Sequence, residues 1–151
     1  MVDQVGEHNQ RIVVGVDGSE GSRTALRWAI GQARVTGATV EAVSAWQDPV
    51  MYGYPYGWPA DGFDGGTIMA LTEKALDDTL AQEASGSDHP VEILGRVIQG
   101  HPSEVLLEAS KGAQLLVVGD RGHSTFGGLL LGSTSQHCVQ HATCPVVVVP
   151  R

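Results

Sequence analysis

Five short apolar runs recur along the chain: RIVVGVD (residues 11–17), ATVEAVSAW (38–46), VEILGRVI (91–98), AQLLVVGD (113–120) and CPVVVVP (144–150). Stretches of helical periodicity separate them, and this alternation constrains the fold more than any other feature. Ala25, Leu26, Ala29, Ile30 and Ala33 share one helical face. Ile68, Leu71, Thr72, Ala75, Leu76, Thr79 and Leu80 share another. Pro102 suits the first turn of a third helix, with Val105, Leu106 and Ala109 as its stripe and Gly112 at the C′ position. A fourth helix is expected over about residues 133–142. The runs RIVVGV, LLVVG and VVVV are apolar on both faces, as strands of a parallel sheet covered on each side by helices must be. The expected fold class is therefore α/β: a doubly wound five-stranded parallel sheet with helices on both faces.

At 151 residues the chain suits one domain, read as 1–151 with its core in 11–150, without a disulfide or metal staple. Nine basic against seventeen acidic residues give a formal charge of −8, which repels nucleic acid and anionic membranes. No basic n-region appears in MVDQVGEHNQ, and no apolar run approaches the roughly 20 residues of a membrane helix. A cytoplasmic protein with no membrane contact is expected. Cys138 and Cys144 read as reduced, small apolar residues.

Ligands of open parallel sheets gather beyond the carboxyl ends of the strands, where the winding reverses. The loops there are VDGSEGS after the first strand and GDRGHSTFGGLLLGSTSQ (119–136) after the fourth. The second runs into a helix start, whose unpaired N–H groups and positive dipole end suit phosphate. Ser133 and Gln136 have capping-box spacing, so Ser133 is expected to cap that helix, while Gly132 lets a ligand come close. Arg121 and His123 either add charge there or sit in solvent.

Rival motifs carry less support, each for a particular residue. GGLLLGST (127–134) fits the phosphate loop GxxxxGK[ST] except that Ser133 stands where lysine belongs. No GxGxxG follows the first strand. His137, Cys138, His141 and Cys144 have a spacing metals can use, but histidines also suit a helix C-terminus, and no HExxH glutamate accompanies them. Asp120, His123 and Ser124 are the residue types of a catalytic triad crowded into one loop, whereas triads are assembled from separate elements.

GDRG, HSTFGGLLL and GS together match G-x2-G-x9-G-[ST] at Gly119, Gly122, Gly132 and Ser133. With VVGVDGSEGS, LLVVGDRGH and CPVVVVP around it, the chain from about residue 11 to 150 resembles the ATP-binding branch of the universal stress protein family. The resemblance implies strand order 3-2-1-4-5 and an ATP site. Asp17 would lie near the ATP with Gly15 and Val16, the Ala45 backbone would meet the adenine edge, and Val118 and Gly119 would flank the ribose. Gly122, Gly132, Ser133, Thr134 and Ser135 would hold phosphates, joined by Arg121 and His123, with Mg²⁺ or Mn²⁺ as a companion ion. Asp120 is the departure: its carboxylate must either reach the phosphates through a divalent ion or turn outward.

The implied protein is a cytoplasmic, homodimeric, nucleotide-dependent regulator of the stress response, dimerising through strand 144–150, which that order places at the sheet edge. Two alternatives stay open: an interaction protein of the same fold that binds no nucleotide, and a slow ATPase. The loop 47–66 holds Tyr52, Tyr54, Tyr56, Trp58 and Phe63 and is read as a contact surface for a protein partner or dimer, as a lid, or as a self-packed loop.

Overall fold

The computed structural model describes residues 10–48, 65–84, 90–120 and 131–151. Five strands, β1 (Arg11–Gly15), β2 (Thr39–Trp46), β3 (Ile93–Gln99), β4 (Leu115–Gly119) and β5 (Val146–Val149), form one all-parallel sheet in the order β3-β2-β1-β4-β5. The helices between them are α1 (Glu20–Thr36), α2 (Gly65–Ala84), α3 (Pro102–Ala109) and α4 (Ser133–His141).

Alternation along β1 divides the core in two. Ile12 and Val14 pack with the α1 stripe Ala25, Leu26, Ala29, Ile30 and Ala33, and with Leu76 of α2. Val13, facing the other way, packs with Val105, Leu106 and Ala109 of α3 and Cys138 of α4. Each fully buried aliphatic side chain contributes about 1.5–3 kcal/mol, so this central strand anchors both layers.

The expected helical faces are met unevenly. The whole α1 stripe is buried, and the helix ends at Gly37, whose φ of 77° lets its N–H reach Ala33 O at 2.8 Å. On α2 only Leu76 and Thr79 are buried and Leu71 is 55% exposed, because this helix covers the margin of the sheet. Gly112 is not the C′ residue of α3: that helix is capped at Ser110, and Gly112 (φ 76°) turns the chain two residues later. β5 lies at an edge, so Val146, Val147 and Val148 are only partly buried, unlike the fully covered valines of β1. Among the described residues no helix is long and apolar enough to cross a membrane.

One buried acid interrupts β2. Glu41, on the α3 side, is bracketed by Arg11 at 3.2 Å and by Arg96, while Arg11 also donates to Ala109 O at 2.7 Å. The cluster ties three strands to the end of α3, on the opposite end of β1 from the loops considered next.

Candidate functional site

The turn after β1 is built from short polar side chains. Val16 extends the ladder, donating to Val43 O at 2.9 Å, and Gly18 then takes φ 83°, a conformation that favours glycine. The Asp17 carboxylate accepts from the Ser19 N–H at 2.9 Å and from the Ser19 hydroxyl. Ser19 in turn caps α1, accepting from the Ser22 N–H at 3.2 Å. Behind this turn the Ser44 hydroxyl donates to Val16 O at 2.7 Å, and the Asp17 N–H meets Ser22 Oγ at 3.3 Å. The Val16–Asp17 peptide is thus held at both ends.

The end of β4 is gripped in the same manner. Ser135 of α4 donates its hydroxyl to Gly119 O at 2.6 Å, and the Asp120 N–H pairs with Val149 O at 3.1 Å. Gly119 is glycine for a packing reason, since a Cβ there would lie 2.7 Å from Gly21 O on the backbone of α1. At Gly15 the obstacle is softer, a leucine tip, Leu106 Cδ1 at 2.8 Å.

Between these two ends, at the point where the strand order reverses, lies a cavity of about 280 Å³. Gly15, Val16 and Asp17 supply one wall and Ala45 of β2 another; Val118 and Gly119 close the β4 side. Gly132, Ser133, Thr134 and Ser135 present the start of α4. Every predicted site residue within the described segments therefore lines a single cavity. Arg121, Gly122 and His123 lie outside the described residues, as do the aromatics of the 47–66 loop.

Sequence reading missed five wall residues: Ser19, Ser22, Val43, Pro102 and Leu106. The two serines were visible in VDGSEGS. Pro102 and Leu106 carried no local signal, because only the crossover of α3 brings them over β1. A neighbouring cavity of about 430 Å³ shares Val16, Asp17 and Ala45 and continues beneath α2 past Ile68, Leu71 and Leu76.

The capping expectation changes. Gly132, not Ser133, is the N-cap of α4: it is extended at φ −66° and ψ 161°, and no side-chain hydrogen bond caps the helix. Ser133 is instead the first helical residue, and Gln136 pairs through its backbone N–H with Gly132 O at 2.9 Å, so the capping box does not form. Asp120 stands off the cavity lining. Its carboxylate faces Arg151, with Oδ1 3.7 Å from Nε, and that buried oxygen accepts no hydrogen bond from the described residues.

Chemically the cavity is two-sided. Val16, Val43, Ala45, Leu106 and Val118 give it an apolar wall. The first turn of α4 gives it the N–H groups that no helix can satisfy internally, the positive end of the dipole, and the exposed Ser133 hydroxyl. Such a pocket suits a ligand with a flat apolar part and an anionic part. No cluster of three or more His, Cys, Asp or Glu side chains suited to a metal occurs among the described residues.

A five-stranded parallel sheet with a helix-start cavity at its switch point defines a doubly wound α/β protein. The sequence pattern of the Universal stress protein family matches residues 8–150, and the chain belongs to that family. It is 32% identical over 156 aligned positions to Universal stress protein Rv1996 of Mycobacterium tuberculosis, covering 95% of this chain and 49% of that protein. The chain thus spans about half the length of that relative. Among solved structures, a universal stress protein in complex with cAMP superposes with a TM-score of 0.70 at 25% identity, over 94% of this chain and 97% of that one. The universal stress protein of Archaeoglobus fulgidus in complex with dAMP gives 0.58 at 20% identity, over 93% and 98%.

Proposed function

We propose that the switch-point cavity binds an adenine nucleotide, ATP foremost, and that the protein acts in the cytoplasm as a nucleotide-dependent regulator of the stress response, not as a catalyst with turnover. The observation that carries this reading is the meeting, in one cavity, of the first turn of α4 with the apolar wall from β1, β2 and α3. Phosphate oxygens would lie against the amides of Ser133, Thr134 and Ser135, and the base and ribose along Val16, Ala45 and Val118. Two members of this fold holding cAMP and dAMP support an adenine-containing ligand.

The described residues fit the nucleotide better than they fit a protein-held metal. Asp17 is engaged by Ser19 and Asp120 faces Arg151, so a divalent ion would depend on the phosphates for most of its ligands. Hydroxyls and amides bind phosphate without burying several full charges, which agrees with a chain of net charge −8.

Gly132→Val tests the reading without backbone strain, since φ −66° is open to any residue and Gly132 lines the cavity. ATP at a hundredfold excess over its Kd should stabilise the native protein by about 2.7 kcal/mol, raising its melting temperature by several degrees. The shift should vanish in Gly132→Val. No shift in the unaltered protein would favour the interaction-protein alternative.

A further inference from the structure

The outer face of α4 carries a pair of side chains that the nucleotide reading leaves unused. His137 and His141 are both exposed, one helical turn apart, with ring centroids 4.5 Å from each other and planes inclined at 44°. Cys138 lies beside them in sequence but is fully buried in the α3–α4 layer, so it faces the core and not the histidines. From these positions we infer that His137 and His141 form a two-nitrogen surface site for a divalent transition-metal ion of the Ni²⁺ or Cu²⁺ class.

Ring spacing bears on the coordination a shared ion would have. With metal–nitrogen bonds of about 2.0 Å, the centre of an imidazole ring sits about 3.1 Å from the ion. Two rings at a cis angle of about 90° then hold their centroids roughly 4.4 Å apart, and a tetrahedral angle holds them at about 5.1 Å. At the observed 4.5 Å the two rings are close enough to share one ion once a nitrogen of each turns toward it. His141 ends the helix, where the negative end of the dipole attracts a cation, and the net charge of −8 adds to that attraction. Water would complete the coordination, because no third protein ligand joins the pair among the described residues.

Such a clip would bridge the last turn of α4, which leads directly into the edge strand β5. The site lies on the solvent side of the helix and stands apart from the cavity, so it can be tested whether or not nucleotide binds.

Ni²⁺ is the suitable probe, since the free thiol of Cys144 does not reduce it. Calorimetric titration of the full chain should show one Ni²⁺ bound per chain with a rise in melting temperature. His137→Gln and His141→Gln, both at exposed positions, should each weaken binding by on the order of a hundredfold, because chelation by the second ring is lost. Circular dichroism confirms that the variants remain folded. Ni²⁺ affinity unchanged in both variants, or no saturable binding by the unaltered chain, would overturn the proposal.

Discussion

Ser135 illustrates how one residue can serve the site without touching ligand through its side chain. Its hydroxyl proton is committed to Gly119 O at 2.6 Å in a buried position, so its own contribution to phosphate would be its backbone N–H. Ser135→Ala should leave that carbonyl buried without a partner and cost about 1–3 kcal/mol. For a domain of this size each kcal/mol lowers the melting temperature by roughly 2–4 °C, which differential scanning calorimetry reads directly. ATP affinity should fall more than adenosine affinity, because the released carbonyl oxygen can turn toward the phosphates; equal losses would make Ser135 a merely structural residue. Cys138 makes a different prediction. Burial, with a smaller electrostatic contribution from Cys144, pushes its thiol up to about 11 from 9.0. The folded state therefore holds this proton more tightly than the unfolded state, so the contribution is intact below about pH 9 and is lost as pH rises toward 11. Cys138→Ala should flatten that alkaline decline in chemical-denaturation stability, and in the native protein thiol reagents should modify Cys144 first. Labelling of Cys138 at the faster rate would contradict the burial argument.

The elements were readable where one residue pattern had one physical cause. The α1 stripe and the valines of β1 and β4 are buried as their periodicities required, because each faces a full layer of partners. Leu71 broke the pattern since α2 overlies the sheet margin, and a helical period cannot say how much sheet lies beneath it. The cap of α4 was misplaced by one residue: the serine-to-glutamine spacing has the form of a capping box, but extended Gly132 occupies the cap. β5 carries the element-level prediction. Its partly buried valines lie at the sheet edge, next to Arg151 and Asp120, and we propose that two copies pair along residues 144–150. Sedimentation should give a dimer at micromolar concentration, and Val147→Lys should shift it to a monomer. A monomer in the unaltered chain would remove this interface.

For the molecule as a whole, the parallel order β3-β2-β1-β4-β5 brings two distant regions of the chain, residues 15–22 on one side and residues 118–119 with 132–135 on the other, to one crevice. The glycine spacing marked both segments in advance, since helix starts and turns leave local signatures. Pro102, Leu106 and Val43 left none, because their place at the cavity depends on how α3 and β2 cross β1. Gly119, the last residue of β4, also shows that a glycine in a ligand-binding motif can answer to helix packing at Gly21. This crevice is the proposed nucleotide site. Isothermal titration of the purified chain with ATP should give saturable binding of one ATP per chain, abolished in Gly132→Val. Absence of binding heat in the folded, unaltered protein would contradict it and leave the cavity to another ligand.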